Sequence, residues 1–193
     1  ACAGLGVAAV TNAIRDLLAL GVFCNPVIPP ASHGNAGLLR LSLMLDHDAD
    51  LLEEAGQTMP DAPTWDEVAA IARAVNSDDV AGICLRGKPG WGDLGAAFTT
   101  VLNTFGGTWW EANEDGSIGA AQVDQPEFRE ALEFYVNLLA DAGQDDAANA
   151  SFNECKALYQ EGKVAMWYDA TVAAGSLEAD DSPVKGMNDF ALA

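Results

Sequence analysis

Basic residues are scarce in this sequence. Its 193 residues contain nine Lys and Arg against 29 Asp and Glu, which gives a formal net charge of −20 at neutral pH. Binding to the phosphate backbone of DNA or RNA needs clustered Lys and Arg side chains, so the composition argues against a nucleic-acid-binding protein. A negative field of this size also repels anionic solutes and lipids, and we therefore expect a neutral or cationic partner.

Histidine and cysteine are also too few to build most metal or catalytic centres. The sequence has two His and four Cys, without a C-x-x-C pair and with no Cys close to a His. Zinc sites and Cys-His or Ser-His-Asp centres depend on such residues. We therefore predict no metal site.

Two short motifs match known cofactor or ion sites by letters only. Residues 4–9 read GLGVAA, but no strand precedes these glycines as a dinucleotide-binding fingerprint requires. Asp46, Asp48 and Asp50 have the alternate spacing of a calcium loop, yet Leu51 occupies the position where the loop needs glycine. The sequence therefore predicts no cofactor.

The most apolar stretch, residues 5–24, is long enough to cross a bilayer but carries Asn12, Arg15 and Asp16 near its middle. Charges there are costly, so we do not expect a transmembrane helix. No basic segment precedes the stretch, so a signal segment is not recognisable. Residues 1–41 remain unassigned, with a helix predicted over residues 7–20.

Three helices are predicted where a start signal, an apolar period and a stop signal agree. Thr64 with Glu67, and Ser151 with Glu154, form capping boxes, and Pro126 suits the first turn of a helix. The predicted spans are residues 64–76, 124–143 and 151–162. Short apolar runs at residues 80–85 and 164–168 read as buried strands.

This alternation of helices and strands predicts an α/β fold. In such folds ligands bind at the carboxyl ends of the strands, which directs attention to the loops at residues 86–92 and 169–174.

Aromatic and charged side chains follow both predicted strands. Arg86 leaves the first strand, and the turn at residues 89–92 would hold the Trp91 indole out into a cleft. The second strand delivers Trp167 and Asp169. Aromatic faces pack on C–H groups while carboxylate and guanidinium groups bind hydroxyls, a combination typical of sites for neutral sugars or polyols. The alternative is that both tryptophans are core residues.

Two other questions stay open on the residues alone. Cys84 and Cys155 are either buried free thiols or, in an oxidising compartment, one disulfide. A glycoside hydrolase needs only two carboxylates, and 29 acidic residues supply many pairs.

Three longer segments carry a family resemblance. Residues 82–92 read GICLRGKPGWG, residues 103–109 read NTFGGTW, and residues 163–171 read KVAMWYDAT. They resemble the extracellular solute-binding proteins, family 1, of ABC-type importers, and among these the members that carry sorbitol, mannitol and related sugars. The similarity extends over residues 43–184.

The resemblance implies a type II periplasmic-binding-protein fold, in which two α/β lobes joined by a hinge close on a sugar. Residues 42–193 would form mainly the second lobe with hinge-proximal segments. Family members are longer than this chain, so we expect a fragment, a divergent short form, or a chain whose first forty residues come from a faulty reading frame.

The implied function is the substrate-binding component of an importer, which has no chemistry of its own and hands a neutral sugar or polyol to membrane permease subunits. It would work outside the cytoplasm, in the periplasm or lipid-anchored at the cell surface. Arg86, Trp91, Trp167 and Asp169 would line the cleft, and a Cys84–Cys155 disulfide is favoured. A glycoside hydrolase and a vestigial, non-binding domain are the alternatives.

Overall fold

The computed structural model describes residues 44–113 and 115–191, together with three short strands nearer the N-terminus, β1 (Leu5–Gly6), β2 (Asn25–Val27) and β3 (Ala36–Arg40). Contacts divide the chain into two compact units, Ala1–Leu43 with Ala170–Val172, and Met44–Asp169 with Ala173–Ala193. In the first unit β3 pairs antiparallel with both β1 and β2. The helix predicted over residues 7–20 lies outside the described residues.

From residue 44 onward, helices and strands alternate along the chain. They are β4 (Met44–Asp48), α1 (Ala49–Glu54), α2 (Trp65–Val75), a π-helical turn (Trp91–Gly95) that runs into α3 (Ala96–Thr104), β5 (Trp110–Ala112), β6 (Ile118–Ala121), α4 (Pro126–Ala142), a 3-10 turn (Ala147–Asn149), α5 (Phe152–Gln160), β7 (Met166–Asp169), α6 (Val172–Leu177) and β8 (Asn188–Ala191). Within the described residues, no helix combines the length and the apolar character that crossing a bilayer demands.

The three helices predicted from local signals are confirmed as α2, α4 and α5. At the start of α2 the Thr64 amide donates to Glu67 Oε2 at 2.7 Å, and the Glu67 amide donates back to Thr64 Oγ1 at 3.3 Å. These bonds satisfy two backbone donors that a helix N-terminus leaves without partners, which is why the box marks the start so reliably.

Thr64→Ala should therefore lower the free energy of unfolding by about 1 kcal/mol, the usual loss for an N-cap hydroxyl. Urea unfolding followed by circular dichroism measures the change. Thr58→Ala is the matched control, because Thr58 is an exposed loop residue outside any helix. Equal stability of the two variants would contradict a capping role for Thr64.

The strand β4 lies at the centre of a three-stranded antiparallel sheet with the order β7-β4-β8. Met44 pairs with Asp169 on one side, and Leu45 pairs with Ala191 on the other. The sequence-based prediction of a strand over residues 164–168 corresponds to β7, which begins two residues later and ends at Asp169.

The strand predicted over residues 80–85 is corrected to an extended segment that makes isolated parallel bridges. Ala81 bridges to Val164 and Cys84 to Trp167, whereas Ile83 bridges to Gly143 beyond the end of α4. Ala81 and Cys84 bridge to the same neighbouring segment but are three residues apart, which breaks the two-residue alternation of a strand, so no continuous ladder forms. The parallel direction relative to β7 still agrees with the α/β interpretation.

Gly82 lets this extended segment lie directly against α2. A Cβ atom at this position would stand 2.0 Å from the Ala72 carbonyl oxygen, far inside van der Waals contact. The segment reaches its place only because residue 82 has no side chain. It therefore delivers the next residues, Leu85 and Arg86, to the same edge as the end of β7.

Candidate functional site

The turn after the extended segment holds Trp91 out from the protein surface. Gly90 has a φ of +147°, which favours glycine, and its carbonyl accepts from the Gly95 amide at 3.0 Å. The Trp91 side chain is 64% exposed, and its ring packs at 5.6 Å, centroid to centroid, against Trp109. An aromatic ring is thus held by a defined turn and left accessible to a partner.

Arg86 lies three residues before the turn at residues 89–92, is buried, and binds two separate segments. Its Nε donates to Asp169 Oδ2 at 2.7 Å, and its Nη2 donates to Asp169 Oδ1. The third bond runs from Nη1 to the Gly92 carbonyl oxygen at 2.8 Å, inside the Trp91 turn. The guanidinium therefore joins the end of β7 to the turn that carries the exposed ring.

The charge state of Arg86 follows from these contacts. Burial alone would lower the pKa of its guanidinium, but the hydrogen bonds and the negative charge of Asp169 raise that pKa above its ordinary value. Arg86 stays protonated, and Asp169 compensates its positive charge.

Trp167 lies directly behind this ion pair, in the core. Its side chain is 0% exposed and packs against Phe152 and Tyr159, with ring centroids 5.1 and 6.3 Å away. Its indole N–H donates to Asp169 Oδ2 at 3.3 Å. In the described part of the chain the Trp167 ring is covered and contributes one hydrogen bond to the carboxylate, and its assignment to the ligand site stays a prediction.

A disulfide joins Cys84 to Cys155, with Cα atoms 5.6 Å apart. It connects the extended segment to α5, two residues before Arg86. The buried side chains packed together around it are Cys84, Ala150, Cys155, Tyr159, Val164, Trp167, Ala173, Leu177 and Val184. The disulfide thus holds the extended segment, which carries Arg86, against α5.

Sequence reasoning missed Trp109. Its ring supports Trp91 and meets Phe98 and Phe128 edge to face, while its N–H donates to Thr99 Oγ1 at 2.8 Å. The available signal is the NTFGGTW segment at residues 103–109, which ends at Trp109.

A cavity of about 450 Å³ lies behind the Trp91 turn, between α3 and α4. Aliphatic and aromatic side chains and glycines line it almost entirely, and the hydroxyl of Tyr135 is already bound to the Arg86 carbonyl oxygen at 2.8 Å. A hydroxyl-rich molecule would find few hydrogen-bond partners there. The polar groups lie instead on the Arg86 and Asp169 side.

Acidic residues near β4 have a structural role. Asp48 caps α1, and its Oδ1 accepts from the amides of Asp50 and Leu51 at 3.1 Å each. Among the residues whose positions are described, no group of three or more His, Cys, Asp and Glu side chains is arranged to hold a metal ion.

Comparison with known proteins adds an independent finding. The family model of the bacterial extracellular solute-binding proteins matches residues 41–193. The mannitol-binding protein of Pseudomonas aeruginosa is 40% identical over 138 residues, which are 70% of this chain and 30% of that protein.

Solved structures give the same result for the fold. An ABC transporter solute-binding protein of Agrobacterium vitis, solved with bound D-mannitol, is 42% identical with a TM-score of 0.72, over 79% of this chain and 36% of that one. One from Agrobacterium radiobacter, in complex with ribitol, is 18% identical with a TM-score of 0.68, over 97% of this chain and 47% of that one. The α/β fold of the type II periplasmic binding proteins, predicted from the sequence, is confirmed. This chain spans about a third of the length of its mannitol-related relatives.

Proposed function

Because the chain belongs to the bacterial extracellular solute-binding proteins, we propose that it acts in the substrate-binding component of an ABC-type importer and binds a neutral polyol of the mannitol and sorbitol type. The two relatives at about 40% identity, one a mannitol-binding protein and the other solved with D-mannitol, support this ligand class. The proposed partners are the membrane permease subunits that receive the ligand. The proposed location is outside the cytoplasm, in the periplasm or lipid-anchored at the cell surface.

The observation that carries the proposal is the exposed, supported ring of Trp91 beside a compensated ion pair. The C–H groups of a polyol pack on an aromatic face, which removes apolar area from water. Arg86 and Asp169 lie at the base of the turn that presents this face. The arrangement presents an accessible apolar ring face to the C–H groups of such a ligand.

The electrostatics favour a neutral ligand. The positive charge of Arg86 is already matched by Asp169, so it offers no uncompensated cation to an anionic sugar. The net charge of −20 adds a repulsive field for anions. An uncharged polyol needs no free cation at the site and is not repelled by this field.

The hydrolase alternative receives no support from the described residues. A glycosidase needs two carboxyl groups facing one bond, one of them protonated to act as the acid. Asp169 is the buried carboxylate of the described part of the chain, and it is bound to Arg86. The family itself consists of solute-binding proteins.

Isothermal titration calorimetry with D-mannitol, D-sorbitol and D-gluconate tests the proposal. Gluconate has the carbon chain of sorbitol but carries a carboxylate, so it isolates the effect of ligand charge. We expect saturable binding of at least one hexitol and at least about tenfold weaker binding of gluconate, a difference of about 1.4 kcal/mol. A chain that is folded by circular dichroism and binds neither hexitol would overturn the proposed function.

A further inference from the structure

The Arg86 guanidinium is the physical connection between the Trp91 turn and the sheet. Two of its N–H groups are directed to Asp169 and a third to the Gly92 carbonyl oxygen. A planar guanidinium holds its donors in a fixed fork, so binding one carboxylate through two of them sets the direction of the third. The position of the turn is thereby linked to the end of β7.

Burial separates this connection from solvent and from a ligand. Arg86 is 8% and Asp169 6% exposed, whereas Trp91 is 64% exposed. The Phe152 ring lies against the guanidinium, with its centroid 5.4 Å from Cζ. Both oxygens of Asp169 accept from Arg86, and Oδ2 also accepts from the Trp167 N–H. The exposed group at this site is the indole.

The backbone that carries Arg86 is held over several consecutive residues. The Gln144 side chain accepts from the Leu85 amide at 3.2 Å and donates to the Leu85 carbonyl at 2.7 Å. The Tyr135 hydroxyl donates to the Arg86 carbonyl at 2.8 Å, and Cys84 is fixed by its disulfide. The backbone of Arg86 is therefore fixed. A change at its guanidinium group would displace the Trp91 turn and not the extended segment.

We infer that Arg86 is a positioning residue, which acts on the ligand only by holding the Trp91 turn through Asp169 and the Gly92 carbonyl. We call Arg86, Asp169 and Gly92 together the latch. The inference rests on the proposed function for the identity of its ligand and deepens it, because it assigns ligand contact to Trp91 and support to the latch. It replaces the sequence-based expectation that Arg86 and Asp169 bind hydroxyl groups directly.

Arg86→Lys separates these two roles. Lysine keeps the positive charge beside Asp169, but its single ammonium lacks the planar fork that binds the carboxylate and the Gly92 carbonyl together. The turn then loses the hydrogen bond to the Gly92 carbonyl oxygen, while the ion pair with Asp169 persists. Arg73→Lys is the matched control, because the Nε of Arg73 also donates to a carboxylate, that of Asp141 at 3.0 Å, in an exposed pair away from the turn.

A double-mutant cycle with D-mannitol gives the first measurement. We expect Arg86→Lys to weaken binding about tenfold, and the combination of Arg86→Lys with Trp91→Ala to bind no more weakly than Trp91→Ala alone. Residues that act through one another give such non-additive losses, whereas independent contacts add. Additive losses would show that Arg86 touches the ligand and would overturn the inference. Arg73→Lys should bind as the unmodified chain does.

Fluorine NMR of the ligand-free chain gives the second measurement, which stands even where no polyol binds. With 5-fluorotryptophan incorporated, Trp91→Phe identifies the Trp91 resonance. Arg86→Lys should shift or broaden this line, while Arg73→Lys leaves it in place. An unchanged Trp91 resonance in a folded Arg86→Lys variant would overturn the latch. Failure of hexitols to bind the unmodified chain would overturn only the proposed function.

Asp169→Asn serves as the second variant where Arg86→Lys does not fold. The amide has nearly the same shape as the carboxylate but offers one acceptor oxygen instead of two. The same shift of the Trp91 resonance is expected, and an unchanged line in this folded variant would equally overturn the latch.

Discussion

Replacing Trp91 by alanine is expected to weaken D-mannitol binding at least about 30-fold, which corresponds to about 2 kcal/mol. The ring is the exposed aromatic surface of the candidate site, and a polyol loses its packing face when the ring is removed. The fold should survive, because a side chain that is 64% exposed makes few core contacts. Titration calorimetry measures the affinity, and urea unfolding should change by less than about 1 kcal/mol.

Trp110→Ala is the control for this experiment. Trp110 is also an exposed tryptophan, 41% accessible, and lies on β5. Its removal should leave D-mannitol binding unchanged. Equal losses in the two variants, or an unaltered affinity in Trp91→Ala, would remove Trp91 from the site.

Removing the Cys84–Cys155 disulfide is expected to lower the free energy of unfolding by about 4 kcal/mol. The bond closes a loop with a sequence separation of 71 residues, and the loop-entropy relation gives a loss of this size. Small domains are stable by about 5–15 kcal/mol, so the loss takes a large share of the total. Urea unfolding of the Cys84→Ala, Cys155→Ala double variant measures the loss.

The single variants separate the bond from the packing of its sulfur atoms. Each of Cys84→Ala and Cys155→Ala already breaks the bond, so each should lose nearly as much stability as the double variant. Both positions are fully buried, so the remaining thiol stays shielded in the core. Strictly additive losses would mean that the sulfur atoms stabilise by packing alone.

The helices could be predicted from the sequence because their signals are local. The boxes at Thr64 and Ser151, and Pro126 at the first turn of α4, involve residues within one helical turn of each other. The prediction of a strand at residues 80–85 was wrong because strand pairing depends on distant residues. Apolar composition predicts burial, but whether a continuous ladder forms depends on which distant segment lies alongside.

In the candidate site, too, features encoded by adjacent residues could be predicted, and those that depend on distant residues could not. The exposed Trp91 followed from the Pro89–Gly90 turn, which is encoded in adjacent residues. The partner of Arg86 is Asp169, 83 residues further along the chain, and no local pattern names it. Trp167 is predicted near the site because it ends an apolar run beside Asp169, but such a run does not show which ring is covered, and the structure packs Phe152 against this one.

The strand order of the β7-β4-β8 sheet determines when this sheet can form during synthesis. Its central strand β4 leaves the ribosome before the other two, and both of its partners, β7 and β8, are made more than a hundred residues later. The sheet therefore cannot close while the intervening helices are still being synthesised, and folding dominated by such distant pairings is slow.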